Sequence, residues 1–287
     1  MTEPDFEIDA ANLPEGFAES IESVPDQPAA ARPAATVVLA RNGVTSIETL
    51  LVRRTRKSSF VPGAWVFPGG RVDSGDAHPE LVALVDGLSP AQANARLELG
   101  EGSDPPAIAY VLAAIREAFE ETGLLVARTS EGGWPPDATQ EPAVDQQRAA
   151  VLEDRTPFAT ALEQLSCRID GAAIEYLAHW ITPLVEPKRY DTRFFLAEVA
   201  PDSEATLDPR EMTAATWRTP TQALEENANG ALPMVFPTIK TLQQLEGFET
   251  VAEAIEHFGS RRIPPILPRL VKTPTGVGIE IPDVDAG

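Results

Sequence analysis

Between Ala107 and Thr122 the chain has neither proline nor glycine and is rich in strong helix formers, so the spacing predicts one helix over 107–122, closed by Gly123. On a wheel of about 100° per residue, Ile108, Leu112, Ile115 and Phe119 share a narrow apolar face. Glu117, Glu120 and Glu121 fall opposite, one turn apart. Upstream, the β-rich runs 35–41 and 46–54 flank Asn42-Gly43, which predicts a hairpin that begins a sheet. An apolar run, Ala64 to Phe67, then breaks into the glycine-rich stretch Pro68-Gly69-Gly70-Arg71. Further β-rich segments lie at 174–185, 193–199 and 215–218. Helices are predicted at 144–154, 158–165, 236–245 and 250–258, and one after Thr219, an N-cap residue followed by Pro220. The segment 263–270 carries too many prolines to predict regular structure.

Two stretches interrupt this alternation. Residues 77–106 carry helical spacing in Leu81, Leu84 and Leu88, then again after Ser89-Pro90, and two short helices over the glycine-rich loop would form a lid or a dimer contact. Residues 128–157 are rich in Gly, Pro, Glu and Asp and form a second surface insertion. Residues 1–31 contain eight acids and no lysine or arginine before Ala30, a composition expected of a solvated, poorly ordered arm that leaves a homodimer contact open. The main domain is therefore expected over 32–270, with a C-terminal tail over 271–287.

The balance of charge, −21 with 43% hydrophobic residues, gives a soluble protein with material for a core and argues against nucleic acid or an anionic membrane as partner. No apolar run reaches the length of a membrane span, and the N-terminus lacks the basic-then-apolar pattern of a secretion signal. A single cysteine, Cys167, excludes an intrachain disulfide and fits a reducing cytoplasm.

Against this acidic background two basic groups stand out: Arg53, Arg54, Arg56 and Lys57 before the glycine-rich loop, and Lys188, Arg189 and Arg193 between two strands. Each reads either as a solvated turn or as a partner for phosphates. The Glu117-Glu120-Glu121 face reads in isolation as a solvated acidic surface. As a cluster of oxygen ligands it suits a hard divalent cation, Mg²⁺ or Mn²⁺.

Taken together, Gly70 followed by Asp76 after five residues, and Arg116-Glu117-Ala118-Phe119-Glu120-Glu121-Thr122-Gly123-Leu124, resemble the two halves of the signature of the Nudix hydrolase family. Two departures mark this chain. Asp76 stands where the family has Glu, and 39 residues separate Asp76 from Arg116 where the family has seven. The split signature and the run Arg189-Tyr190-Asp191-Thr192-Arg193-Phe194-Phe195 resemble the coenzyme A diphosphatase branch of peroxisomes and its bacterial relatives.

The resemblance implies an α/β/α sandwich with a mixed central sheet, and Mg²⁺-dependent hydrolysis of the phosphoanhydride in a nucleoside diphosphate linked to another moiety. Coenzyme A or its thioesters come first. ADP-ribose, a dinucleotide or an oxidised nucleotide are the alternatives, as is a nucleotide-sensing module without catalysis. It implies Glu117, Glu121 and Glu120 as metal ligands, with Glu120, Arg116 and Asp76 as the catalytic group and the choice of general base open. Arg116 is expected to clamp Asp76 through a contact that the shorter Asp side chain lengthens or leaves to a bridging water. Gly69, Gly70, Arg53, Arg54, Arg189 and Arg193 are expected to meet substrate, and Leu81, Leu84 and Leu88 to shelter a pantetheine arm.

Overall fold

The computed structural model describes residues 4–9, 21, 25–57, 61–137 and 139–282. After β1 (Phe6–Asp9), strands β2 (Arg32–Asn42) and β3 (Ile47–Arg54) form the predicted antiparallel hairpin, with Ala40 opposite Thr49. Short strands β4 (Trp65–Val66) and β5 (Gly69–Arg71) pair with β3 and β2. A 3₁₀ turn (Ser74–Ala77) leads into α1 (Pro79–Val82), β6 (Val85–Asp86), α2 (Pro90–Leu97) and α3 (Ala107–Thr122). Then come β7 (Ala127–Thr129), α4 (Pro142–Leu152), α5 (Phe158–Gln164), β8 (Cys167–Asp170), β9 (Ile174–Ile181), β10 (Tyr190–Glu198) and β11 (Met212–Arg218). The chain ends in α6 (Pro220–Ala228), α7 (Phe236–Leu245), α8 (Val251–Gly259), β12 (Pro265–Ile266), β13 (Arg269–Lys272) and β14 (Gly276–Glu280).

The central sheet runs β11-β3-β2-β10-β9-β12. It is mixed, because β10 lies parallel to β2 but antiparallel to β9. Val37 through Ala40 of β2 are fully buried on both faces. Val37 and Leu39 meet the core under α3, which includes Leu112, Ile115 and Phe119, whereas Val38 and Ala40 meet Phe236, Leu242 and Val251 of α7 and α8. Helices thus cover both sides of the sheet, which is why β2 reads as a continuous apolar run instead of an alternating one. The result is the expected α/β/α sandwich.

Several segments depart from their expected form. The acidic arm supplies β1, which pairs Phe6 with Ile279 and Ile8 with Val277 of β14. Main-chain pairing is indifferent to side-chain charge, and Phe6 stacks against Phe236 with ring centroids 5.5 Å apart. Residues 1–3, 10–20 and 22–24 lie outside the described residues. Pro265–Ile266 adds a parallel strand at the edge of β9, a position that tolerates proline because one side of an edge strand needs no donor. Arg269–Lys272 and Gly276–Glu280 give the tail a hairpin.

The first insertion also differs. Its helix α2 packs against α3, with Ala93 and Leu97 lining the same small gap as Val111, and shows, among the described residues, no packing over the glycine-rich loop. Leu81 and Leu88 are buried in that same core and Leu84 packs on it, so these leucines hold the insertion in place and are not free for a pantetheine arm.

Candidate active site

The helix α3 is buried on all sides from Ala107 to Ile115, and its acidic residues emerge only near its C-terminal end. Two features bring the glycine-rich loop to that end. β5 hydrogen-bonds along β2, with Gly70 opposite Ala35, which fixes the loop on the α3 side of the sheet. Gly70 also lacks a side chain where one would displace the Glu117 carboxylate: a Cβ there would lie 2.3 Å from Glu117 Oε1. The neighbouring Gly69 N–H donates to Glu121 Oε2 at 3.1 Å.

Arg116 ties this assembly to Asp76. Its Nε donates to Asp76 Oδ1 at 2.7 Å and its Nη2 to Asp76 Oδ2 at 3.0 Å, a forked pair between a nearly buried arginine and a carboxylate only 1% exposed. Nη2 also donates to the Arg71 carbonyl at 3.0 Å. The expected lengthening of this contact is not observed. The 3₁₀ turn carries Asp76 inward, and Asp76 Oδ2 accepts from its own turn's Asp73 N–H at 2.8 Å, so the missing methylene is made up by the main chain. The 39-residue gap between the signature halves is accommodated by looping the first insertion out behind α3.

Nη1 of Arg116 donates to Glu117 Oε1 at 3.0 Å and Glu120 Oε1 at 3.1 Å. Burial pushes Glu117 up to about 7 against the pull of Arg116. Burial likewise raises Glu120. Glu121 is 3% exposed and held well above the usual carboxylate range by burial and by Glu117, opposed by Arg54 and the Gly69 N–H. Burial works against the charge of Arg116, but Asp76, Glu117 and Glu120 outweigh it and hold its pKa above the ordinary value.

One buried and two half-buried acids clustered on Arg116 are undercompensated, and their all-oxygen donor set fits a hard divalent cation. Among the described residues no three acidic, histidine or cysteine side chains already converge as a coordination shell; Arg116 holds Glu117 and Glu120 instead.

The expected phosphate ligands divide. Arg54, at the end of β3, bears on Glu121. Arg53, its neighbour, donates to the Gly63 carbonyl at 3.3 Å. Arg189 is buried and donates to the carbonyls of Thr182 and Ala29, at 3.0 and 2.7 Å. Arg193 is also buried, 4.7 Å over the Tyr110 ring, and donates to the Tyr176 hydroxyl at 3.3 Å. Neither makes a contact with the carboxylates.

Two residues bearing on the site had no signal in the sequence. Glu211, just before β11, adds negative charge beside Glu117, Glu120 and Glu121, and its carbonyl accepts from the Thr55 N–H at 2.8 Å. Arg148 of the second insertion reaches the main chain of α3. Both are distant in sequence and come near only through tertiary packing.

A mixed sheet between helices, with a glycine loop docked on an Arg-Glu-x-x-Glu-Glu helix, defines the Nudix class, and the chain belongs to that family. The particular model that matches, over residues 31–245, is that of the NUDT19 Nudix domain. The chain is 27% identical over 241 residues to the Xenopus laevis protein named acyl-coenzyme A diphosphatase NUDT19, an alignment of 74% of this chain and 63% of that one. It is 30% identical over 253 residues to the Gallus gallus protein of the same name, covering 77% and 66%. Aligned residues thus span just under two thirds of these relatives' length. The crystal structure of a NUDIX hydrolase from Alicyclobacillus acidocaldarius superposes with a TM-score of 0.65 at 30% identity, covering 82% of this chain and 99% of that one. Among the described residues no helix is long and apolar enough to cross a membrane.

Proposed function

We propose that this chain hydrolyses the phosphoanhydride of coenzyme A or its thioesters in a reaction that depends on Mg²⁺, with Mn²⁺ as a substitute. The observation that carries the reading is the docking of Glu117 and Glu121 on the Gly69-Gly70 loop, with Asp76 and Arg116 locking the two halves of the site together. The name shared by the relatives supports the choice of coenzyme A over other linked nucleotides.

Glu117, Glu121 and Glu120 are the residues that would hold the cation. A divalent cation there supplies positive charge to the phosphate oxygens and lowers the pKa of water. The chain's own contribution is threefold. The Asp76–Arg116 fork holds α3 against the loop so that the acids keep their relative positions. The absence of a side chain at Gly70 lets the loop close directly on the Glu117 carboxylate. The greater exposure of Glu120, 20% against 15% for Glu117 and 3% for Glu121, supports it as the group that takes the proton of an attacking water. Arg54 adds a cation at the edge of the site. Cleavage would yield adenosine 3′,5′-bisphosphate and a phosphopantetheine product.

The test is a hydrolysis screen with Mg²⁺ or Mn²⁺ across coenzyme A, an acyl-coenzyme A, dephospho-coenzyme A and ADP-ribose. The expected order places coenzyme A and its thioester above dephospho-coenzyme A, which lacks the 3′-phosphate. Robust cleavage of ADP-ribose without cleavage of any coenzyme A species would overturn the substrate assignment. No cleavage of any of them would overturn the catalytic reading.

A further inference from the structure

An α-helix leaves its last four carbonyls without partners inside the helix. In α3 those carbonyls belong to the very turn that bears Glu120 and Glu121, and each has a partner. Gly123, at φ 73°, returns its N–H to the Phe119 carbonyl at 2.8 Å. The Asp208 N–H reaches the Glu121 carbonyl at 3.2 Å, and the Thr206 N–H reaches that of Thr122 at 2.8 Å. The Glu120 carbonyl is closed differently, by a side chain: Arg148 Nε of α4 donates to it at 2.9 Å.

Arg148 is 3% exposed. Its acidic neighbour Asp145 is 3.6 Å away and largely exposed, a weak partner for a buried guanidinium. Burying a cation is unfavourable unless it is well partnered; the buried Asp208 carboxylate adds opposite charge, while the hydrogen bond of Arg148 goes to a main-chain oxygen of the carboxylate helix. A positive charge at that place also complements the negative end of the helix dipole. The second insertion therefore does more than decorate the surface, because it delivers one buried cation to the end of α3.

We propose that Arg148 is a positioning residue for the carboxylate site. It pins the main chain at Glu120, so that Glu120 and Glu121 keep the register in which they take up a divalent cation. It touches no reacting atom and acts through the helix. This role rests on the metal-dependent reading given above.

The experiment measures Mn²⁺ uptake by the full chain, from the electron paramagnetic resonance signal of free Mn²⁺, alongside thermal melting, for the wild type, R148M and R148K. R148M removes the donor and keeps the stem; R148K keeps a charge and one donor. The expected result is Mn²⁺ affinity about tenfold weaker in folded R148M, with partial recovery in R148K. With saturating metal, KM for coenzyme A stays within about twofold while kcat falls. Should R148M not fold, R148Q carries the same criterion. Unchanged Mn²⁺ affinity in a folded variant, even with a lowered melting temperature, would assign Arg148 to stability alone and overturn the proposal. A wild type that takes up no Mn²⁺ would overturn the metal reading itself, and this role with it.

Discussion

Asp76→Asn probes the clamp on which the site depends. In the wild type, Asp76 presents two carboxylate oxygens to the Arg116 fork at 2.7 and 3.0 Å, and one of them also accepts the Asp73 N–H. An asparagine offers one oxygen and one N–H₂ group, so it cannot satisfy both arms of the fork, and one position would set donor against donor. Charge-assisted hydrogen bonds contribute about 1.5–3 kcal/mol each, and breaking a buried ion pair by removing one partner costs about 3–5 kcal/mol. Arg116 keeps Glu117, Glu120 and the Arg71 carbonyl, so the loss belongs at the low end, about 3 kcal/mol. For a domain of this size that lowers the melting temperature by about 6–10 °C. The assay is thermal unfolding followed by circular dichroism, with Asp73→Asn as control. Asp73 is mostly exposed and 3.8 Å from Arg116, so its variant should melt within about 1 °C of the wild type. A D76N protein that melts with the wild type would refute the clamp.

The remaining expectations concern the acids and the loop. Glu121→Gln keeps an oxygen for the Gly69 N–H but removes a buried charge, so kcat should fall by on the order of 10² or more while melting stays close to wild type, read from initial rates and a melting curve. Equal losses of both would point to a structural role. Gly70→Ala forces a Cβ against the Glu117 carboxylate, so Mn²⁺ affinity should drop with only modest loss of stability; unaltered affinity would mean that Glu117 moves aside at no cost. The pH dependence follows from Glu117, raised from an unfolded value of about 4.3 to about 7 in the fold. The folded metal-free protein then binds a proton more tightly than the unfolded chain between those values. Its stability should therefore fall as pH rises from about 4.5 to 7. Melting temperatures in chelator across that range should show this slope in the wild type and a flatter one in E117Q; parallel slopes would remove Glu117 as the cause.

How much could be read before any fold was known depended on the range of the physics involved. The α3 helix, the β2–β3 hairpin, the Thr219 cap and the acidic turn follow from local rules: periodicity, turn chemistry and capping act within a few residues. The signature halves were legible because their residue types sit at short fixed spacings. What packing decided lies beyond that range. Local pattern made residues 77–106 helical but could not say that Leu81 and Leu88 would be spent in the core behind α3. Two arginines of similar appearance, Arg54 and Arg189, were separated only by what they touch, Arg54 bearing on Glu121 while Arg189 donates to the main-chain carbonyls of Thr182 and Ala29. The acidic arm became a strand because a partner strand from the opposite end of the chain reaches it. Glu211 and Arg148 act at the site across long stretches of sequence, and the reason is general: burial, charge proximity and the completion of hydrogen bonds depend on distance in space, which composition and spacing along the chain do not encode for residues brought together from afar.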